Sequence, residues 1–261
     1  MKVAIVQNPE EGSKLAASIF IDQVKQNPKT VLGLATGSTP VKMYKLLAEA
    51  CKAGTVSFKD CQSFNLDEYL GLAPEHDQSY HYFMKTQLFD HIDIDQAKTH
   101  VPDGLAKDIA KSCKAYEDAI AAAGGIDIQL LGIGSDGHIA FNEPGCSLAC
   151  RTHSQVLTQQ TINDNARLFF GGRIEEVPTQ AVTMGIGSIM DARKVVLLAF
   201  GKGKQDAIVG LVEGPVTTIC PCSALQYHND CVVICDEEAA GKLRNKDYYK
   251  YIFSQTGVSN I

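Results

Sequence analysis

The stretch IDIQLLGIGSDGHIAFNEPG (Ile126–Gly145) decides the fold of this chain, because a largely apolar run ends there in a glycine-rich turn. The run IDIQLLGI predicts a buried β-strand. Behind it, Gly132, Gly134 and Gly137 match the G-x-G-x-x-G spacing of dinucleotide-binding loops. The same stretch carries Asp136, His138 and Glu143. Two interpretations are therefore possible at this point, a dinucleotide-binding site or an acid–base site.

Apolar runs of this kind alternate with helical segments along the chain. The predicted strands are KVAIV, VLGL, CQSFNL, IDIQLLGI, KVVLLAF and CVVICD. The predicted helices cover about Glu11–Gln26, PVKMYKLLAEACKA from Pro40, Ser79–Phe89 and Lys107–Ala123. Continuous apolar strands are buried on both faces, so we predict an α/β fold with an open, mostly parallel, doubly wound sheet flanked by helices, of Rossmann-like type.

The chain shows no internal repeat and no Pro- or Ser-rich linker. We therefore predict a single α/β domain over residues 1–261. Within it, the irregular composition after His138 suggests a lid or insertion around 138–170, and residues 240–261 form a C-terminal tail.

The dinucleotide interpretation needs the glycine turn to open a helix, with an acid about 20 residues further on for the ribose. Pro144 and Gly145 preclude a helix of useful length. No acid lies between Glu143 and Asp164, which is 27 residues beyond Gly137. We therefore predict no dinucleotide cofactor.

Ligands of open parallel sheets bind at the carboxyl ends of the strands. The turn Gly37-Ser38-Thr39 follows VLGL and precedes a helix, so it offers a phosphate the helix N-terminus, although an ordinary Ser or Thr cap explains it equally well. Lys202 or Lys204, after KVVLLAF, supplies a cation for the same anion or belongs to a solvated basic turn.

Acidic residues follow two further strands. Asp67 and Glu68 come after CQSFNL and suit either proton transfer or capping of the next segment, with capping the better interpretation in isolation. Asp136, His138 and Glu143 form a more specific set, because a carboxylate fixes the tautomer of a histidine and raises its pKa.

Composition excludes several classes of function. The 261 residues are 45% hydrophobic and 21% charged, as in ordinary globular proteins, and the net charge of −6 disfavours nucleic acid or an anionic membrane as partner. No apolar run approaches the roughly 18 residues of a membrane span, and the N-terminus lacks a signal-peptide core. The nine cysteines show no zinc-ligand spacing, which predicts reduced thiols in a cytoplasmic protein without structural zinc.

Four segments, LGLATGSTP, FNLDEYLGL, LLGIGSDGHIAFNEPG and NARLFF, stand in an order and at spacings that resemble the glucosamine-6-phosphate deaminase family. The resemblance runs from the first strand to about Asp236. It implies conversion of glucosamine 6-phosphate and water into fructose 6-phosphate and ammonia, without a metal or organic cofactor. The segment TGSTP alone is shared with 6-phosphogluconolactonases.

The resemblance also assigns roles to individual positions. Asp67 matches the base that moves a proton between C2 and C1 of the sugar, and His138 matches the group that assists opening of the pyranose ring. Asp136 and Glu143 match its supporting acids. The phosphate-binding positions implied are Gly37, Ser38, Thr39, Arg167 and Lys204.

The chain departs from the family pattern at two places. Some members carry bases for allosteric N-acetylglucosamine 6-phosphate just after the catalytic loop, where this chain has His153 and Gln155, so activation of that type is not expected. Ser38 stands where many members have glycine, and its hydroxyl adds a donor.

Family members occur as monomers and hexamers. The aromatic tail from Arg244 favours a homo-oligomer, with a hexamer ahead of a monomer.

Two alternatives compete with the deaminase. Hydrolysis of 6-phosphogluconolactone on the same fold leaves Asp67 and Glu68 without a role. A non-catalytic sugar-phosphate sensor is expected to lose the acid–base set, whereas this chain keeps all of Asp67, Asp136, His138 and Glu143.

Overall fold

The computed structural model describes residues 1–256, so the last five residues of the predicted tail lie outside the described part. Ten strands form two sheets in the described residues. The strands are β1 (Lys2–Val6), β2 (Val31–Leu34), β3 (Gln62–Asn65), β4 (Asp67–Tyr69), β5 (Thr99–His100), β6 (Ile128–Leu131), β7 (His153–Val156), β8 (Gln180–Thr183), β9 (Lys194–Ala199) and β10 (Cys231–Asp236).

The larger sheet has seven strands in the order β1-β10-β9-β6-β2-β3-β5, and every neighbouring pair is parallel. Its central strands β9 and β10 are buried on both faces: Val195, Val196, Val232 and Val233 have no exposed surface. Strands that bury both faces need helices on both sides. The predicted mostly parallel α/β sheet is confirmed.

Eight α-helices lie in the described residues, together with several short 3₁₀ turns. They are α1 (Pro9–Gln26), α2 (Val41–Lys52), α3 (Tyr80–Gln87), α4 (Ile109–Ala122), α5 (Gln159–Leu168), α6 (Ile186–Met190), α7 (Gln205–Val212) and α8 (Lys246–Thr256). The α1 helix starts two residues before the predicted Glu11 because Asn8 caps it, accepting the Glu11 N–H at 2.9 Å.

The smaller sheet was not predicted. It is antiparallel, with the order β4-β8-β7, and pairs Asp67 with Thr183 and His153 with the same threonine. Asp67 and Glu68, which follow the predicted third strand, therefore lie within a separate short strand of their own. Three- and four-residue strands carry too few residues for a periodic signal, and β4 pairs with β8, a strand more than 100 residues further along the chain.

The segment predicted as irregular after His138 contains β7, and α5 completes it up to Leu168. The action of residues 138–170 as a lid, and the treatment of the chain as one domain, stay predictions. No helix among residues 1–256 is long and apolar enough to cross a membrane.

Candidate active site

A cavity of about 490 Å³ opens where the carboxyl ends of β2, β3, β6 and β9 meet. Its wall includes the predicted site residues except Asp136 and Glu143, which lie behind His138. The predicted residues on the wall are Gly37, Ser38, Thr39, Asp67, His138, Arg167 and Lys204. The parallel sheet therefore brings together positions that are 167 residues apart in the chain, from Gly37 to Lys204.

The turn after β2 forms one end of this cavity. Gly37 has a φ of 95°, a left-handed conformation that glycine adopts without strain. Pro40, predicted as the first helical residue, is the N-cap residue of α2 and makes no side-chain capping hydrogen bond. The alternative in which Ser38 or Thr39 caps this helix is thus not what the structure shows. Both residues line the cavity instead.

Lys204 and Arg167 supply cationic groups to the cavity wall from different elements. The Lys204 ammonium donates a hydrogen bond to the carbonyl oxygen of Ile133 at 2.7 Å. Burial lowers the pKa of Lys204, while the nearby carboxylates of Asp164 and Asp136 oppose that shift. Arg167 is 70% exposed and pairs with Asp164 at 3.0 Å. The buried cation is held by a backbone carbonyl, and the exposed one by an ion pair at the surface.

Asp67 faces the cavity from β4 with only 6% of its surface exposed. Burial, and secondarily the negative charge of Glu68, raise its pKa from the ordinary 3.8 to about 8. A carboxyl group with a pKa near neutrality can take up a proton and release it again at physiological pH.

The neighbouring Glu68 does something different. Its carboxylate accepts the backbone N–H of Tyr80 at 2.9 Å and of His81 at 3.0 Å, at the first turn of α3. The imidazole of His81 also contacts it, with Nδ1 2.9 Å from Oε2. Capping, the role expected for the pair in isolation, thus belongs to Glu68 alone.

His138 lies between two acids. Its Nδ1 is 2.8 Å from Oδ1 of Asp136 and 3.6 Å from Oε2 of Glu143. Asp136 also accepts the backbone N–H of His138 at 3.1 Å. Although burial acts in the opposite direction, hydrogen bonding to His138 and its charge hold the pKa of Asp136 below the usual value. Nδ1 faces the acids, so the opposite ring edge is the one that can serve a ligand.

Glu143 is almost fully buried and is held by a backbone contact of its own. Its Oε1 accepts the N–H of Thr158 at 3.1 Å, just before α5 begins. The acid therefore links the loop after β6 to the helix that carries Arg167.

The glycines of the G-x-G-x-x-G match have separate structural reasons. A Cβ at Gly134 would lie 2.3 Å from Cε1 of the His138 ring, and one at Gly137, whose φ is +87°, would lie 2.6 Å from Sγ of Cys220. A Cβ at Gly132 would meet nothing within 4 Å. No helix follows the turn, as predicted from Pro144 and Gly145. Gly134 makes room for the His138 ring and Gly137 for Cys220, and neither needs a pyrophosphate to explain it.

Asp136, His138 and Glu143 also offer three ligand atoms within 4.8 Å of one another, a set that could hold a metal ion. The same set serves proton transfer, because two carboxylates orient one imidazole. The predicted absence of a metal stays a prediction.

Sequence reasoning missed the rest of the α5 face. Gln160 and Asp164 line the cavity beside Arg167, and Tyr80 from α3 lines it opposite. The signal for the first two was the helical spacing to Arg167, since positions three and four residues apart share a helix face. Tyr80 gave no comparable signal, because its place depends on stacking against Phe141, with ring centroids 6.1 Å apart.

His153 and Gln155 do not line this cavity. They contact each other on β7, with His153 Nε2 3.2 Å from Gln155 Oε1, and His153 borders a separate groove between α4 and β7. The expectation that these two residues give no strong phosphate site stays a prediction.

Comparison with known proteins extends these observations. Residues 10–234 match the family described as glucosamine-6-phosphate isomerases/6-phosphogluconolactonase. A glucosamine-6-phosphate deaminase of Shewanella woodyi is 56% identical over 252 residues, covering 97% of this chain and 95% of the relative. One from Clostridium perfringens is 48% identical over 244 residues, which are 94% of this chain and 100% of the relative.

Solved structures agree with these sequence matches. A monomeric glucosamine-6-phosphate deaminase superimposes with a TM-score of 0.90 at 44% identity, over 92% of this chain and 99% of that one. A 6-phosphogluconolactonase from Trypanosoma cruzi shares the fold, with a TM-score of 0.76 at 24% identity over 93% of this chain and 97% of that one. On the family match and the near-complete coverage, the chain belongs to the glucosamine-6-phosphate isomerase/6-phosphogluconolactonase family.

Proposed function

We propose that this protein is a glucosamine-6-phosphate deaminase, which converts glucosamine 6-phosphate and water into fructose 6-phosphate and ammonia. The observation that carries the proposal is the buried carboxyl group of Asp67, with a pKa raised to about 8, in one cavity with His138. Relatives that bear this enzyme's name and are about half identical over nearly the whole chain support it.

The phosphate is assigned to the Gly37-Ser38-Thr39 turn, which lines the cavity before α2 and can offer backbone N–H groups and two hydroxyls. Lys204 and Arg167 neutralise its charge. An open-chain sugar is flexible, so holding its phosphate end orients the reacting C1 and C2 atoms at the other end.

His138 is assigned to ring opening. The step moves a proton from the O1 hydroxyl to the ring oxygen O5 as the C1–O5 bond breaks, and an imidazole held by Asp136 and Glu143 can relay it. The product of this step is the open-chain aldehyde, which has an acidic hydrogen at C2.

Asp67 is assigned to the isomerisation. As a carboxylate it takes the C2 proton while the aldehyde oxygen O1 takes a proton from the substrate ammonium, which gives an enolamine. As the acid it then returns its proton to C1, which leaves a C1 hydroxymethyl group and a protonated imine at C2. Water adds to this imine and ammonia departs, so that the ketone of fructose 6-phosphate remains. The lactonase alternative gives Asp67 no such step.

The decisive experiment incubates the purified protein with glucosamine 6-phosphate and measures ammonia and fructose 6-phosphate separately. Both should appear in equal amounts, and Asp67→Asn should lower kcat by about 10²- to 10⁴-fold, with a much smaller effect on KM. Asp60→Asn, at an exposed acid before β3, is the control. Absence of ammonia, or an active Asp67→Asn variant, would overturn the proposal.

The homo-oligomer, with a hexamer ahead of a monomer, stays a prediction. The α8 helix supports it by exposing Tyr248 and Tyr251 to 60% and 61%, while a relative at 44% identity is described as monomeric. Light scattering on the purified protein distinguishes the two.

The cytoplasmic location and the absence of a metal or cofactor likewise stay predictions. Full activity after dialysis against EDTA is the result expected if the enzyme needs no metal ion.

A further inference from the structure

Cys220 and Cys222 flank Pro221 in the segment that follows α7, and their Sγ atoms lie 3.4 Å apart. Cys222 is fully buried, whereas Cys220 is partly exposed. Both thiols are unoxidised. Two thiols at this distance need little movement to react with each other, and Cys220 is the more exposed residue of the two.

The pair packs directly against the turn that carries Asp136, Gly137 and His138. The N–H of Cys222 donates to the carbonyl oxygen of Gly137 at 2.9 Å. A Cβ at Gly137 would lie 2.6 Å from Sγ of Cys220 and 3.5 Å from its Cα. Gly137 is the residue between Asp136 and His138, so any shift of Cys220 is transmitted to both.

The two thiols differ in reactivity. Hydrogen bonding from the Cys222 thiol lowers the pKa of Cys220 to about 7, although burial and the charge of Asp136 oppose the shift. The same interaction and burial raise the pKa of Cys222 far above its usual range. Cys220, the partly exposed member of the pair, is thus the thiol that meets an oxidant, and the fully buried Cys222 is the neighbouring thiol that resolves it.

We propose that Cys220 and Cys222 form a modification site for hydroperoxides, which oxidise the pair to a disulfide that displaces the Asp136–His138 turn and lowers turnover. The Cys220 thiolate attacks the terminal peroxide oxygen, and the O–O bond breaks to leave a sulfenic acid and an alkoxide or hydroxide that takes a proton from water. The Cys222 sulfur then attacks the Cys220 sulfur. The S–O bond breaks, and the hydroxyl leaves as water with the Cys222 proton.

Bond formation has to draw the sulfur atoms together from 3.4 Å. Because Cys220 is wedged against Gly137, its movement changes the position of the His138 ring relative to the substrate. A displacement of this kind is expected to cost about tenfold or more in kcat. Disulfides closed over so few residues are strained and readily reduced, so the modification is reversible by thiols.

A second pair of thiols competes for the same reagent. Cys146 and Cys150 lie in the loop after Glu143, and hydrogen bonding from Cys146 lowers the pKa of Cys150 to about 6. Cys150 also accepts the Ile186 N–H at 3.3 Å. The experiment must therefore assign the oxidised residues and not merely count lost thiols.

The test treats the reduced full-length protein with hydrogen peroxide in stoichiometric steps, blocks remaining thiols by alkylation, and maps peptides by mass spectrometry beside an ammonia assay. The peptide with Cys220 and Cys222 should lose two hydrogen atoms and escape alkylation as turnover falls about tenfold. Dithiothreitol should restore both the alkylation of the two thiols and the turnover.

Cys220→Ser and Cys222→Ser should each abolish the disulfide and the peroxide-dependent fall in turnover, whereas Cys146→Ser should keep both. The proposal fails if the two thiols stay alkylatable, if the disulfide forms without loss of turnover, or if Cys220→Ser loses turnover as wild type does. The activity readout rests on the proposed function, but the peptide map does not. A protein without deaminase activity would still reveal whether the disulfide forms.

Discussion

Asp67 and Glu68 are neighbours in β4 and both are buried, yet their carboxylates serve different parts of the molecule. Asp67 faces the cavity, and Glu68 accepts backbone N–H groups of Tyr80 and His81 at the start of α3. Successive side chains of a strand point to opposite faces, which separates the two acids without any loop between them. One acid is bound to the scaffold, and its charge raises the pKa of the other.

Glu68→Ala should destabilise the fold. The change leaves the N–H groups of Tyr69, Tyr80 and His81 without their acceptor, and unsatisfied buried donors cost about 1–3 kcal/mol. Urea unfolding measures the loss. Glu10→Ala is the control, because its ion pair with Lys42 is exposed and should contribute little. Equal stability of the two variants would contradict the capping role of Glu68.

Asp67→Asn should gain stability relative to wild type as the pH rises. Asp67 keeps its proton in the folded state up to about pH 8, whereas the unfolded carboxyl ionises near its ordinary pKa of 3.8. Between these values only the unfolded state loses the proton. Each rise of one pH unit therefore lowers the free energy of unfolding of the wild type by up to about 1.4 kcal/mol. Asparagine removes this dependence.

Unfolding of both proteins across this range measures the difference, which should level off above about pH 8. The proposed role of Asp67 as a base requires its ionised form, so kcat/KM of wild type should rise with pH up to the same value. Parallel stability curves for wild type and variant would show that the pKa of Asp67 is not raised.

Gly134→Ala should lower kcat far more than Gly132→Ala does. The new methyl group at position 134 would lie 2.3 Å from the His138 ring, which must move, whereas the one at position 132 meets nothing within 4 Å. A displacement of a catalytic group by about 1 Å costs up to about 10²-fold in rate. The kcat values of the two variants, with circular dichroism to verify folding, decide the matter. Similar kcat values would contradict the assignment of His138.

Lys204→Met should weaken substrate binding, whereas Lys202→Met should not. Lys204 lines the cavity and is held by the Ile133 carbonyl, while Lys202 two residues earlier is exposed and lies outside the wall. Loss of a charge-assisted hydrogen bond worth about 1.5–3 kcal/mol raises the dissociation constant about 10- to 100-fold.

Calorimetric titration of inorganic phosphate or fructose 6-phosphate into both variants measures this effect, and thermal unfolding shows whether Lys204→Met is folded. Equal affinities would remove Lys204 from the phosphate site. Lys204→Arg, which keeps the charge, should retain part of the affinity.

Much of the site could be predicted because parallel sheets place every strand's carboxyl end at one edge. Knowing the strands VLGL, IDIQLLGI and KVVLLAF was enough to group Gly37, His138 and Lys204. Tyr80 and the polar face of α5 were not predicted, because a residue on a helix reaches the cavity only through the way that helix packs. Patterns within the helix say which residues share a face, but not what the face meets.

The sequence by itself determined the parallel sheet, the failure of the dinucleotide motif and the strand-end positions Gly37, Asp67 and His138 of the cavity wall, since each depends on patterns within a few consecutive residues. Only the tertiary structure decided the pairing of β4, which carries Asp67 and Glu68, with β8, and the packing of Cys220 against Gly137. Those arrangements join segments more than 80 residues apart, and close packing across such distances leaves no periodic trace in the chain.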